Sequence, residues 1–157
     1  MIICIKRKIT RRICFKKAEE RAKLTGKKLL VIGDPYNGIA SKSTGSDYNC
    51  GDLCIDLTGC PKCKNSIKTK LENIINKINL NEYIVYISCV LEYVDNIDLI
   101  IENLNKMNEK DLFIVNVEPY SLSAYLYPYF ITKERPPRNI IYSKNNNNIK
   151  YFVNPIL

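Results

Sequence analysis

The chain has 157 residues, enough for one domain around one core and too few for two independently stable ones. Hydrophobic residues make up 46% and charged residues 25%, a balance that excludes disorder as the general state. Ile, Asn, Lys and Tyr are abundant, Gly is scarce, and Trp and His are absent. Such a bias is what an AT-rich genome imposes, as in a large DNA virus or a parasite, so counts of Lys and Asn carry little functional weight.

The formal charge of +8 is unevenly placed. Lys6, Arg7, Lys8, Arg11, Arg12, Lys16 and Lys17 open a basic segment that reaches Lys28, whereas residues 81–118 are mildly acidic. A basic stretch beside a near-neutral domain suits a phosphate-bearing partner, either an anionic membrane surface or nucleic acid, met through Lys6 to Lys17. The plainer reading is a solvated helix face. Met1 to Ile5 is apolar but far short of the roughly 20 residues of a transmembrane helix, and it lacks the order of a secretory signal. The expected location is intracellular, cytoplasmic or peripheral to a membrane. Seven cysteines, an odd number, then read as thiols rather than as a complete disulfide framework.

In chain order, residues 15–24 predict a short helix with Phe15, Ala18, Ala22 and Leu24 on its buried stripe, stopped by Thr25-Gly26. Residues 28–33 are a continuous apolar run closed by glycine, as in a strand buried on both faces. Residues 34–49 mix Gly, Pro, Asn and Ser without periodicity and read as a long loop. A second strand is expected at 53–57, with Asp56 near its end. A turn at 58–64 leads to a predicted helical stretch through Ile67, Leu71, Ile74, Ile75 and Ile78. Residues 82–90 give the strongest strand signal, being β-branched and aromatic. Asp95 or Asn96 can cap a helix through Ile97, Leu99, Ile100, Ile101 and Leu104, and residues 111–118 form another buried strand. After the Tyr- and Pro-rich stretch 119–130 and the Pro136-Pro137 break, residues 139–142 and 149–153 can pair as an antiparallel hairpin.

Strands alternating with helices at this spacing predict an α/β fold with a mostly parallel sheet and right-handed crossovers. Ligands of such sheets lie beyond the carboxyl ends of the strands, where the strand order reverses. Loops 33–49, 56–63 and 88–95 should converge there.

Leu29-Leu-Val-Ile-Gly-Asp-Pro-Tyr-Asn-Gly38 resembles the first motif of the class I S-adenosylmethionine-dependent methyltransferases, a strand entering a glycine-bearing loop. Asp56 matches the family's acidic residue that accepts hydrogen bonds from the ribose hydroxyls, a task suited to a carboxylate. Residues 87–95 resemble the family's fourth-strand segment, and residues 113–119 its fifth strand, which ends in a proline-containing loop. The resemblance spans Lys27 to about Tyr120 in the right order. It implies a three-layer Rossmann-like sandwich at 27–157, with the C-terminal hairpin added, behind a basic arm and helix at 1–26. It also implies S-adenosylmethionine as cofactor, held by Gly33, Asp34, Gly38, Asp56, Leu57, Ser88 and Cys89. The family departs from this chain in its loop glycines, which here bracket Asp-Pro-Tyr-Asn. Lys70 lies about where an adenine-contacting acid would fall, and Tyr93 replaces a frequent histidine.

Cys50-x3-Cys54-x5-Cys60-Pro-Lys-Cys63 is the second constellation. Four thiolates in so short a stretch can form a tetrahedral zinc site. Cys54, however, lies inside the expected second strand, where it fills a core as a small hydrophobe, and it shares a face with Asp56. Inert buried thiols and no metal are therefore the expectation, with zinc at Cys50, Cys54, Cys60 and Cys63 as the alternative. A Cys60–Cys63 redox pair lacks the surrounding thioredoxin pattern. Cys89 has no histidine anywhere to act as its base, which excludes a Cys–His nucleophile.

Tyr120, Tyr125, Tyr127 and Tyr129 can stack a base or simply pack a core. Glu92 and Glu118 flank the expected site and can orient an acceptor, or stand as solvated loop carboxylates. The functional expectation is a divergent methyltransferase-like protein with unknown acceptor and no assigned catalytic residue. The alternatives are a non-catalytic binding module acting through its basic N-terminus and a zinc-stabilised interaction protein.

Overall fold

The computed structural model describes residues 2–4, 8–33, 50–88, 90–91 and 93–115. Within it, Leu29, Leu30, Val31 and Ile32 follow one another along strand β2 (Lys28–Gly33), and every residue after Lys28 is buried. A strand apolar on both faces must be covered on both, so helical layers are needed on each side of the sheet.

The strands are β1 (Ile2–Cys4), β2, β3 (Leu53–Asp56), β4 (Ser66–Lys68), β5 (Tyr83–Ser88) and β6 (Leu112–Val115). They form one six-stranded sheet in the order β1-β6-β5-β2-β3-β4. Every pairing is parallel. Helix α1 (Lys8–Thr25) covers one face, where Cys14, Phe15 and Ala18 pack against Leu29, Val31, Cys54, Ile84, Tyr86, Phe113 and Val115. The rings of Phe15 and Tyr86 meet edge to face with centroids 5.4 Å apart. Helix α2 (Ile97–Asn105) and the segment 71–80 cover the other face, packing on Leu30, Ile32, Ile55, Val85, Ile87, Leu112 and Ile114. The protein is thus an α/β fold with a parallel sheet between helical layers, a layout compatible with Rossmann-like folds.

Helix α1 ends where expected. Gly26 takes φ 70° and donates its N–H to the Ala22 carbonyl, a left-handed stop that glycine adopts without a Cβ penalty. The helix starts earlier than residue 15, and Leu24 is exposed rather than buried; Cys14 takes its place on the packed stripe. The N-terminal segment is built into the domain, since β1 pairs with β6 (Ile2↔Phe113) and α1 covers the sheet. At the other helix, Asn96 is the cap, its Oδ1 accepting the Leu99 N–H at 3.2 Å.

The expected helix through Ile67 and Ile78 does not form. Residues 66–68 are strand β4 instead, with Ile67 opposite Ile55 on the free edge of β3, and Leu71–Asn73 is a single 3-10 turn. Leu71 and Ile75 keep their helical spacing because both reach the core. Two asparagines, Asn73 and Asn76, and several β-branched Ile are weak helix formers, whereas an unpaired β3 edge would leave backbone groups without partners. Edge pairing therefore wins. The predicted hairpin at 139–153, the Tyr-rich stretch with Tyr120, Tyr125, Tyr127 and Tyr129, and Glu118 lie outside the described residues. Among those residues, no helix is long and apolar enough to cross a membrane.

Candidate functional site

From β2 the chain moves outward to β3 and β4, then returns to the opposite side of β2 as β5 and continues to β6. The strand order therefore reverses at the β2–β5 pair, the place where open α/β sheets leave a crevice beyond their carboxyl ends. Gly33 pairs with Ser88 there, and Ile32 pairs with Ile55, so Asp56 ends β3 one residue further along on the same row. Three of the sequence-derived site residues thus end neighbouring strands at one level, and Leu57 follows directly.

Each has a distinct role in this rim. Gly33 has φ 103°, and a Cβ placed on it would collide with the Ser88 carbonyl and lie 2.7 Å from Val90 Cγ2. Close passage of the chain after β5 is what requires glycine here. Ser88 is 3% exposed, and its hydroxyl makes no hydrogen bond among the described residues. A buried hydroxyl in that state costs about 1–3 kcal/mol. Asp56 is half-buried, and its Oδ1 accepts the Thr58 N–H and, at 2.8 Å, the Thr58 hydroxyl. Its main-chain carbonyl accepts from Gly59 and Thr69, both at 3.2 Å, which fixes the end of β3. Leu57 is 57% exposed, an apolar side chain on the rim beside a carboxylate.

The far side of the rim is tied by charge. Lys70, after β4, pairs with Asp95 at 3.0 Å, and the Glu72 carboxylate accepts the N–H groups of Asp95 and Asn96. Lys70, where the sequence resemblance leads one to expect an acid, thus itself holds an aspartate. Asp34, Gly38, Cys89 and Glu92 lie outside the described residues.

The cysteines depart from expectation. Cys50–Cys63 and Cys54–Cys60 are bridged, with Cα separations of 5.5 and 6.5 Å, inside the span that a disulfide allows. An odd total forbids complete pairing but not local pairing. The chain doubles back after Asp56, and the turn Cys60-Pro61-Lys62-Cys63, closed by the Cys63 N–H on the Cys60 carbonyl at 2.9 Å, lays two sulfurs over Cys54. Burial of Cys54 in the core and its contact with other sulfurs are thus compatible, because that loop forms part of the core lid. Cys14 is buried outside either bridge.

Asp111 was not anticipated. It is 2% exposed, just before β6, and accepts from Arg21 Nε at 2.9 Å and Lys27 Nζ at 2.6 Å. Burial pushes its carboxyl pKa up, but the hydrogen bonds and charges of Lys27 and Arg21 together outweigh this and hold it below the ordinary 3.8. It sits at the amino end of the sheet, away from the rim, and welds α1 to β6. An aspartate opening an apolar strand was the only sequence signal for it.

Comparison of the chain with protein-family models, with curated proteins and with solved structures finds no match.

Proposed function

We propose that this chain binds a nucleoside-bearing ligand at the carboxyl edge of β2, β3 and β5, and that the ligand is S-adenosylmethionine in a divergent class I methyltransferase. The observation that carries the reading is the row Asp56, Gly33 and Ser88 at the point of strand-order reversal. A carboxylate offers about four lone-pair sites. Thr58 uses Oδ1 of Asp56, and sites remain for a ribose diol. Leu57 supplies an apolar surface of the kind a purine ring packs against, and the buried Ser88 hydroxyl supplies a polar contact deeper in the crevice. When bound, the cofactor supplies an electrophilic methyl group. The chain's part is then to align an acceptor with it, work that needs position rather than a proton-transferring triad, so the absence of histidine is no obstacle.

Isothermal calorimetry with S-adenosylmethionine and S-adenosylhomocysteine tests this. Saturable binding that is weakened by Asp56→Asn supports the reading, and no heat at millimolar ligand ends it.

The exposed Lys16 and Lys17 on α1 favour a second reading, a non-catalytic module that uses its basic N-terminal face at an anionic surface. Sedimentation with phosphatidylserine vesicles separates the two: that reading requires binding lost on Lys16→Glu with Lys17→Glu and retained in Asp56→Asn.

A further inference from the structure

We infer that Cys50, Cys54, Cys60 and Cys63 form a tetrathiolate zinc site when reduced, and that the two bridges are the oxidised form of that same site. The Sγ atoms of Cys54, Cys60 and Cys63 all lie within 4.8 Å of one another although they belong to two different bridges, and Cys50 is bonded to Cys63. Three sulfurs therefore share one locus, and the fourth, on Cys50, is bonded to one of the three. A zinc–sulfur bond of about 2.3 Å places the corners of its tetrahedron about 3.8 Å apart, a separation these side chains reach once the sulfur–sulfur bonds open.

The donor set is soft and uniform, since the group contains cysteine alone. Four thiolates select zinc over the harder divalent ions. The local backbone suits the task. Pro61 sits at the second position of the Cys60–Cys63 turn, where its fixed φ presets the bend that aims two sulfurs the same way. Cys54 comes from β3, and Cys50 precedes it by the short spacing common between paired zinc ligands. Cys54 and Cys60 are at most 1% exposed, Cys63 is buried and Cys50 is half-buried, so the site is mostly closed, as structural zinc sites are. The complex carries a net charge of about −2 from four thiolates and one divalent ion. Lys62, Lys64 and Lys68 follow closely in the sequence and add positive charge to this part of the chain.

The two forms interconvert with balanced chemistry. Each disulfide takes two electrons and two protons from a dithiol reductant, giving two thiols while the reductant becomes a disulfide; zinc binding then releases the thiol protons. In either form, residues 57–59, which turn the chain away from Asp56, are held between pinned cysteines. The inference stands independently of the ligand assigned to the rim.

The test is cobalt titration of the full chain, reduced with a phosphine under anaerobic conditions. Expected are the visible ligand-field bands of tetrahedral thiolate cobalt saturating at one equivalent, bleached by one equivalent of zinc, lost in Cys54→Ser and Cys60→Ser, and kept in Cys14→Ser. Absence of these bands in the wild type overturns the inference, as does their persistence in Cys54→Ser and Cys60→Ser. Alkylation of reduced wild type with and without zinc, mapped by peptide mass, answers without any variant. Joint protection of the four cysteines supports the site, and equal labelling in both samples overturns it. None of these readouts involves S-adenosylmethionine.

Discussion

Gly33 stands opposite Ser88 where β2 and β5 end, and the chain beyond Ser88 passes so close that Val90 Cγ2 would lie 2.7 Å from a Cβ on Gly33. The backbone there has φ 103°, outside the range that side-chain-bearing residues adopt without strain. Gly33→Ala therefore combines a steric collision with a backbone penalty, and it should destabilise the domain by about 3 kcal/mol. Urea unfolding followed by circular dichroism checks this. A loss under about 0.5 kcal/mol, the range of ordinary surface substitutions, would mean that β5 can yield at that point.

Asp56→Asn separates the turn from the ligand. The asparagine Oδ1 can still accept from Thr58, so stability should change by less than about 0.5 kcal/mol. Affinity for S-adenosylhomocysteine should fall at least about tenfold, because hydrogen bonds to a charged group are worth about 1.5–3 kcal/mol. Calorimetry and thermal melts on the same preparation decide it.

Asp111→Asn leaves Arg21 and Lys27 converging on a neutral group. Breaking a buried pair costs about 3–5 kcal/mol, and because both cations keep partial contact with water the loss here should be nearer 2–3. The pH dependence has a definite sign. A carboxyl whose pKa is depressed by folding contributes stability that is fully present above its unfolded value, near 3.8, and lost as pH falls through the lower folded value. The gap between wild type and Asp111→Asn should be flat from neutral pH down to about 5 and narrow in stronger acid. Unfolding curves at several pH values measure it.

Asn96→Ala removes the side-chain acceptor for the Leu99 N–H at the start of α2. The Glu72 carboxylate also binds main-chain N–H groups in this turn, so the cost should stay near 1 kcal/mol and rise in the double variant with Glu72→Ala. Thermal melts of the two single variants and the double variant test the coupling.

Strands β2, β5 and β6 were legible because a parallel strand covered on both faces must be apolar at consecutive positions, a pattern that 29–32, 84–87 and 112–115 all show. Strand β4 was not. Ile67, Leu71 and Ile75 have helical spacing, and only the open edge of β3 explains why Ile67 is drawn into a strand while Leu71 and Ile75 reach the core through a tighter turn. The cysteines were misjudged for a related reason. Burial of Cys54 in a strand favours an inert thiol over contact with other sulfurs, and only the tertiary path of residues 57–63 back over the sheet reveals that contact.

The amino-acid sequence by itself determined the α/β class, the buried apolar strands, and Gly33 and Asp56 near the ends of two of them, since burial and turn chemistry act locally. Tertiary structure alone decided that these ends share one row, that the sulfurs of Cys54, Cys60 and Cys63 come within 4.8 Å of one another, and that Asp111 is paired with cations 90 and 84 positions away. Each of those depends on which distant segments the core brings together, information that no short window of the chain contains.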